Sequence, residues 1–270
     1  MRNAWSRAAR RCRMQSFWPV SYTHLPQITC GTHALAIALH GNLRPGDELL
    51  SISGKPYDTL EEVIGIRPSI GSLAEYGVTY RQVDLLPDGN FDFEGIRAAI
   101  GPKTKLVEIQ RSKGYQTRPT LSVKKIGEAI AFVKSIRSDI ICMVDNCYGE
   151  FVETIEPTDV GADMAVGSLI KNPGGGLAPI GGYIVGSRAC VEQAAYRTTC
   201  PGLGQEVGAN LGIIQSFYQG FFLAPTVVAV SYTHLDVYKR QPRSALWTGY
   251  SPGWAHRTIW HPARVRSWWR

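Results

Sequence analysis

One lysine in a glycine-rich stretch is the residue with the clearest chemical potential in this chain. Lys171 lies within GSLIKNPGGGLAPIGG, residues 167–182, between a short apolar run and a loop of glycines. Upstream, the apolar run IICMV is followed directly by Asp145. A lysine amine forms a Schiff base with an aldehyde, and an aspartate pairs with a protonated ring nitrogen so that the ring takes up electrons. The two residues in this order predict chemistry based on pyridoxal 5'-phosphate (PLP).

Each of the two residues also has an ordinary structural interpretation. A lysine in a glycine loop is commonly a solvated surface residue, and an aspartate at the end of a strand commonly forms a turn or a cap. The cofactor interpretation depends on the order of the features. A strand that ends in Asp145 is followed by a second strand that leads into Lys171 and the glycines.

The elements that must position Lys171 and Asp145 alternate along residues 26–229. We expect strands at residues 77–84, 104–110, 164–168 and 182–185 and before Asp145, and helices at residues 91–100, 122–136, 188–196 and 205–218. This alternation favours an α/β fold, with a mostly parallel sheet covered by helices on both faces. In such a sheet the site lies at the carboxyl ends of the strands.

Two further stretches have residue types that suit a phosphorylated ring. CGTHALAIALHGNL, residues 30–43, predicts a helix of small residues that begins near Gly31 and Thr32. The free N–H groups at such a helix start bind phosphate, although Thr32 could instead be the N-cap. Tyr57 precedes a helix expected from about Thr59, and it either stacks on a ring or packs within its own loop.

The charge of the chain is unevenly placed. Its 270 residues have a formal net charge of +7, but acidic residues outnumber basic ones between residues 26 and 229. The basic excess and all 7 tryptophans lie in the flanks. The basic balance is therefore no sign of nucleic-acid binding by the central segment, and we expect no nucleic-acid partner. The pattern GxxxxGK[ST] is absent, which argues against a nucleotide-binding module.

The flanks contain a short repeat that is unlike a structural repeat. VSYTHL occurs at residues 20–25 and again at 230–235, where it continues as VSYTHLDVYKRQ to Gln241. This peptide resembles translated transposase-type sequencing adapter. We therefore expect residues 1–25 and 242–270 to be foreign and disordered, residues 230–241 to be adapter-like, and residues 26–229 to be the functional domain. Sequencing reads that cross the two junctions without adapter sequence would refute this hypothesis.

The cysteines and the hydropathy pattern indicate a protein of the reducing cytoplasm. The chain has 6 cysteines without a CxxC pair or a Cys/His spacing suited to a metal. We expect free thiols, with Cys142 and Cys147 as small apolar residues beside the end of the Asp145 strand. No apolar run in the flanks is long enough to span a membrane, so we expect no membrane partner.

Five motifs in one order carry a resemblance to a known family. They are GTHALAIALHGNLRPGDELL, GKPYDTLEEVIG, QRSKGY, VDNCYGEFVE and GSLIKNPGGGLAP. With them, residues 26–229 closely resemble the PLP-binding large domain of the fold-type I enzymes. Within that group the segment looks like the methionine gamma-lyase/cystathionine beta-lyase-like family, which is also named for aluminium resistance.

The resemblance implies a role for each candidate residue. Lys171 is the Schiff-base lysine and the general base, Asp145 is the partner of the pyridinium nitrogen, and Tyr57 stacks on the ring. The phosphate is bound by Gly31, Thr32 and Ser168. The chain departs from the expected pattern at Cys30, where serine is usual, and at Lys113, where arginine is also usual.

The resemblance also implies an activity, a substrate class and an assembly. The activity is β- or γ-elimination of a thiolate from a cysteine-, cystathionine- or methionine-like amino acid, in a homo-oligomer of two or four copies. A PLP-dependent aminotransferase or cysteine desulfurase would share Lys171, Asp145 and Ser168. The family's N-terminal arm and C-terminal small domain, with its substrate-binding arginine, are expected to be missing. A non-catalytic chimeric fragment is therefore the remaining alternative.

Overall fold

The computed structural model describes residues 27–208 and 212–240. Its helices are α1 (Gly31–Asn42), α2 (Asp58–Ile64), α3 (Phe93–Ala99), α4 (Val123–Ile136), α5 (Arg188–Ala195) and α6 (Ile214–Arg240). Its strands are β1 (Glu48–Ser51), β2 (Thr79–Gln82), β3 (Thr104–Gln110), β4 (Ile141–Asp145), β5 (Met164–Ser168) and β6 (Gly182–Gly186). Short 3-10 turns lie at Pro157–Val160, Asn172–Gly174 and Gly204–Glu206.

The six strands form one sheet in the order β2-β1-β3-β4-β5-β6. Every neighbouring pair is parallel except β5 and β6, which are antiparallel. The carboxyl ends of β3, β4 and β5 therefore lie along one edge of the sheet. The mostly parallel α/β fold expected from the sequence is confirmed.

The helices cover both faces of this sheet, and every strand except the edge strand β2 is mostly buried. One face packs on α1, α2 and α5, and its strand residues include Leu49, Leu106, Met143 and Val166. The other face packs on α3 and α4, and its strand residues include Leu50, Val107 and Val144. Near the carboxyl edge the α1 face changes from apolar to polar residues, so the core ends where the candidate site begins.

Local sequence signals predicted the position and the buried face of helix α4 correctly. Its apolar residues recur at helical spacing, and Val123, Ile126, Ile130 and Val133 are all buried, as predicted. Ser122 caps its start by accepting a hydrogen bond from the Lys125 N–H group. The predicted strands at residues 104–110 and 164–168 are also confirmed, with the same bounds.

The helix predicted at residues 205–218 is confirmed only for residues 214–218, and its predicted start is wrong. The structure has a 3-10 turn at Gly204–Glu206 and begins its last helix at Ile214. Gly208 and Gly212 have positive φ angles of 100° and 72°, which no α-helix accommodates. The apolar side chains of this segment therefore contribute to a later helix, α6, that continues to Arg240.

The chain divides into two compact units at Val230. Of the second unit the structure describes only residues 231–240, which are helical. The disorder predicted for residues 1–25 and 242–270 concerns segments outside the described residues. Within residues 27–208 and 212–240, no helix has the length and apolar character needed to cross a membrane.

Candidate functional site

Asp145 and Lys171 are brought to neighbouring strand ends. Asp145 is the last residue of β4, and Lys171 follows the end of β5 by three residues. The two strands pair in parallel, with Asp145 opposite Val166. The Asp145 side chain is buried at 4% exposure and accepts a hydrogen bond from the Cys147 N–H group at 3.0 Å. The fold therefore places both residues at the carboxyl edge of the sheet.

The Lys171 amine lies close to two tyrosine rings. Its Nζ atom is 4.3 Å from the centre of the Tyr148 ring and 5.9 Å from the centre of the Tyr57 ring. Burial lowers the pKa of Lys171, but Cys147, Tyr148 and Asp145 oppose this effect and raise it above its ordinary value. The side chain is therefore set to hold a proton at Nζ.

The glycine loop gives Lys171 a tight turn. The Gly174 N–H group donates a hydrogen bond to the Lys171 carbonyl at 3.0 Å, and a Cβ atom on Gly174 would collide with the Leu169 carbonyl oxygen. The Asn172 side chain donates a hydrogen bond to the Glu150 carbonyl at 3.0 Å. The backbone on both sides of Lys171 is thus fixed by the strand-end loops.

Tyr57 is held from one side by a second tyrosine. It occupies the N-cap position of α2, and its ring stacks on Tyr115 with centres 5.6 Å apart. The two hydroxyl groups lie 3.2 Å apart. This hydrogen bond and burial raise the pKa of Tyr57 above its ordinary value. Tyr115 was not predicted as a site residue, although it belongs to the motif QRSKGY that follows β3.

The start of α1 differs in one detail from the prediction. The N-cap is Cys30, whose Sγ atom accepts a hydrogen bond from the His33 N–H group at 3.5 Å. The alternative of Thr32 as the N-cap is wrong, because Thr32 already lies within the helix and its hydroxyl pairs with the Thr59 hydroxyl at 2.8 Å. The first N–H groups of the 12-residue helix have no intrahelical acceptor and can bind an anion.

Ser168 lies against this helix start and has an unpartnered hydroxyl. Its Oγ atom is buried without a hydrogen-bond partner among the described residues. A Cβ atom on Gly31 would lie 3.0 Å from the Ser168 Cβ atom, so the glycine permits the close approach. A buried hydroxyl without a partner is unusual in a folded protein. A phosphate oxygen placed between Ser168 and the first turn of α1 would supply the missing partner, so the residues present fit a phosphate group.

Arg111 is a buried cation behind the site that sequence reasoning missed. It follows β3, is 1% exposed, and donates hydrogen bonds to the Asn146 and Glu153 side chains, each at 2.7 Å. Its backbone N–H group donates to the Asp145 carbonyl at 3.0 Å. Arg111 therefore joins the end of β3 to the end of β4 and to the loop that follows Asp145. An arginine directly after an apolar strand was the one available signal.

Two buried glutamates also escaped prediction. Burial raises the pKa of Glu108 to about 8 and that of Glu150 to about 8, although a side-chain hydrogen bond at each carboxyl group opposes the rise. For Glu150 the donor is the Tyr183 hydroxyl at 2.6 Å. Both side chains are almost fully buried on or beside the strand ends. Both therefore keep their protons at neutral pH.

These raised pKa values predict a pH-dependent stability. Between pH 4.5 and about 8 the unfolded chain has released the two protons that the folded chain still holds, so the free energy of unfolding falls as pH rises through this window. Each group contributes at most a few kcal/mol, because one pKa unit corresponds to about 1.4 kcal/mol. Urea unfolding at pH 5 and pH 8 should show a smaller decrease in the free energy of unfolding for the double variant Glu108→Gln, Glu150→Gln than for the unsubstituted chain. Equal losses would contradict the assignment.

A cavity elsewhere has no connection to these residues. It measures about 430 Å³ and lies at the carboxyl-terminal end of α1, where His40, Arg44 and Tyr196 line it. None of the predicted site residues lines this cavity. The chemistry of the described residues is concentrated at the opposite end of α1.

Comparison with known proteins identifies relatives of the whole described segment. The family model for methionine gamma-lyase matches residues 21–236. An uncharacterised protein, YnbB, from Bacillus subtilis is 58% identical over 208 residues, which are 76% of this chain and 49% of that protein. The L-methionine gamma-lyase of Pseudomonas putida is 27% identical over 188 residues, which are 68% of this chain and 41% of the enzyme.

Solved structures extend this comparison to the fold. A carbon–sulfur lyase involved in aluminium resistance from Clostridium novyi is 51% identical and superposes with a TM-score of 0.73, over 77% of this chain and 50% of that one. Cystathionine gamma-lyase from Lactobacillus plantarum, complexed with L-serine, has a TM-score of 0.58 at 19% identity, over 80% of this chain and 52% of that one. The second likeness concerns the fold alone. The chain spans about half the length of curated relatives such as YnbB.

Proposed function

The chain belongs to the methionine gamma-lyase family, and from this premise we propose that it is the cofactor-binding part of a PLP-dependent carbon–sulfur lyase. The substrate class is a cysteine-, cystathionine- or methionine-like amino acid. The observation that carries the proposal is the convergence of Lys171, Asp145 and the unpartnered Ser168 hydroxyl at two adjoining strand ends.

Each of these residues has a distinct part in holding PLP. Lys171 binds the aldehyde carbon through Nζ, and Asp145 accepts a hydrogen bond from the protonated ring nitrogen. Tyr57 covers the ring. The phosphate is bound by the Ser168 hydroxyl and by the first turn of α1, with the residues Gly31 and Thr32.

When bound, PLP supplies the electron sink that stabilises negative charge at the substrate Cα atom. The residues of the chain do the rest. Lys171 would act as the general base that takes the substrate Cα proton at Nζ. The Asp145 carboxylate holds a proton on the ring nitrogen. Its own buried position, with one hydrogen bond from Cys147, keeps that carboxylate oriented.

The assembly and location follow from the family and remain proposals. We infer a homo-oligomer, because family members share sites between copies, and a cytoplasmic location, which suits the free cysteines of the described residues. We also retain the division of the chain into a cofactor-binding domain at residues 26–229 and adapter-joined flanks. The chain spans about half the length of YnbB, so turnover is tested separately from cofactor binding.

Product analysis tests the proposed reaction. The full chain with PLP is incubated with L-cysteine, L-cystathionine or L-methionine, and keto acid, ammonia and thiol are measured. A lyase yields all three without an added amino acceptor, whereas an aminotransferase needs a second keto acid and releases no ammonia. Binding of PLP without any product would identify a cofactor-binding fragment without catalytic activity. Absence of PLP binding by folded protein would contradict the proposal.

Ser168→Ala should separate cofactor binding from stability. We expect PLP affinity to fall about tenfold, since a hydrogen bond to a charged group contributes about 1.5 kcal/mol. Stability without PLP should be unchanged or slightly higher, because the substitution removes a buried hydroxyl without a partner. The measurement is a PLP titration beside urea unfolding, with Ser135→Ala on α4 as the control. Unchanged affinity would show that Ser168 does not contact the phosphate.

A further inference from the structure

A second carboxyl group lies on the same face of the sheet as Asp145. Glu108 is in β3, is 1% exposed, and pairs across the sheet with Met143 of β4 and Ser51 of β1. Because residues two apart on a strand share a face, Glu108 and Asp145 are diagonal neighbours on the α1 side of the sheet. A buried acid beside the residue proposed to bind the ring nitrogen needs a physical explanation.

The hydrogen bonds of Ser51 show which protonation state Glu108 has. The Ser51 Oγ atom is 2.6 Å from the Gly54 carbonyl oxygen and 2.8 Å from the Glu108 Oε2 atom. A hydroxyl has one hydrogen, and a carbonyl oxygen can only accept. If the Ser51 hydrogen goes to the closer Gly54 oxygen, the contact with Glu108 is satisfied only when the carboxyl group donates. The geometry therefore favours a neutral Glu108 that donates to Ser51, which in turn donates to Gly54.

The surroundings of Glu108 agree with this protonation state. Its other oxygen, Oε1, is buried without a hydrogen-bond partner among the described residues, a costly position for an ionised carboxylate. Burial raises the pKa of Glu108, Ser51 and Arg118 lower it, and the charge of Asp145 raises it further, to a value of about 8. Tyr80 of β2 faces the same group. No cation with a direct contact neutralises Glu108 within the described residues.

The chain of hydrogen bonds ends in the loop that carries Tyr57. Gly54 has a positive φ angle of 84°, and its N–H group donates to the Val83 carbonyl at 3.0 Å. Ser53 next to it accepts a hydrogen bond from the Gln110 N–H group at 2.8 Å. Residues 51–54 therefore connect β1 to Tyr57, which lies three residues after Gly54. Glu108 contacts this segment through the Ser51 hydroxyl.

We propose that Glu108, as a neutral acid, is a positioning residue that holds the Tyr57 loop beside Lys171 through Ser51 and Gly54, and that loss of its proton loosens the loop. Only the role of Tyr57 rests on the function proposed above. Glu108 holds the Tyr57 loop in the chain whether or not PLP is bound. Loss of the Glu108 proton leaves two carboxylates on one face and removes the donor to Ser51, so the Ser51 hydrogen is shared between Gly54 and Glu108.

Hydrogen exchange of the full chain without PLP tests this inference. Mass spectrometry of peptides covering residues 52–60 is recorded from pH 7 to pH 9, with rates corrected for the intrinsic pH dependence of exchange. We expect protection to fall about tenfold over this range in the unsubstituted chain and to stay constant in Glu108→Gln, whose amide can still donate to Ser51. Ser51→Ala should reduce protection at every pH.

Two controls make the exchange result specific. Peptides from α4 should show no comparable change in the same samples. Glu150→Gln removes the other buried carboxyl with a pKa of about 8, and the pH-dependent step at residues 52–60 should persist in it. Constant protection of residues 52–60 in the unsubstituted chain would overturn the inference, whether or not the substituted chains fold. A step that is lost in Glu150→Gln rather than in Glu108→Gln would overturn it as well.

PLP absorbance on the same samples separates this inference from the proposed function. No PLP band, together with the expected exchange pattern, contradicts the proposed function and leaves the positioning of the loop supported. If the PLP band has the same pH dependence in Glu108→Gln as in the unsubstituted chain, Glu108 does not influence the PLP site through the Tyr57 loop. A band that weakens above pH 8 only when Glu108 is present supports both.

Discussion

Lys171→Ala abolishes the visible absorbance that PLP acquires on binding to this chain, and with it the adduct that borohydride reduces. The reason is chemical, because alanine has no amine to bond to the aldehyde carbon. The loss is complete rather than partial, since Lys171 is the lysine whose Nζ atom lies against the Tyr57 and Tyr148 rings in the described part of the chain. The measurement is an absorbance titration of the full chain with PLP, before and after borohydride.

Lys113→Ala provides the matched control for this substitution. Lys113 is an exposed lysine in the loop after β3, so its removal tests whether a nearby amine on the surface forms the adduct. We expect the band of Lys113→Ala to equal that of the unsubstituted chain. Urea unfolding of both variants should confirm that they fold. A band that persists in folded Lys171→Ala would contradict the assignment of Lys171.

Arg111→Met should destabilise the chain by about 3 kcal/mol, the lower end of the cost of removing one partner from a buried ion pair. The lower end applies because Glu153 and Glu156, which face Arg111 at 2.7 Å and 3.5 Å, are each about one third exposed. The substitution also leaves the Asn146 carbonyl oxygen without its donor. Methionine fills a similar volume but supplies no charge and no hydrogen bond.

Urea unfolding at pH 7 measures this effect, with Arg188→Met as a control. Arg188 pairs with Glu192 on the surface of α5 at 2.8 Å, and an exposed pair one helical turn apart contributes about 0.5 kcal/mol or less. We therefore expect Arg111→Met to lower the free energy of unfolding much more than Arg188→Met does. If Arg111→Met were no more costly than Arg188→Met, the network behind Asp145 would contribute nothing to stability. PLP affinity should also fall, because the Arg111 side chain fixes Asn146, the residue that follows Asp145.

Much of the sheet could be predicted because its signals are local. Apolar runs between turn residues marked β3 and β5 with correct bounds, and Ser122 with a helical apolar period marked α4. Once a mostly parallel sheet was inferred, Asp145 and Lys171 had to lie at the same edge. The proximity of the two candidate residues thus followed from strand direction, without any knowledge of side-chain contacts.

The parts that could not be predicted depend on backbone geometry or on distant partners. The position of Tyr148 over Lys171 requires a positive φ angle of 66° in a residue other than glycine, a conformation that composition does not indicate. Pairing of Tyr115 with Tyr57 and of Arg111 with Glu153 joins residues that are far apart in sequence. The late start of α6 depends on the conformations of Gly208 and Gly212.

Peptide mapping after borohydride reduction identifies the lysine that binds PLP. The full chain is mixed with a slight excess of PLP, reduced, digested and sequenced by tandem mass spectrometry. We expect one pyridoxyl group per chain, on Lys171, with the other lysines unmodified. A pyridoxyl group on a different lysine, or modification spread over the exposed lysines without preference for Lys171, would show that Lys171 is not the Schiff-base residue.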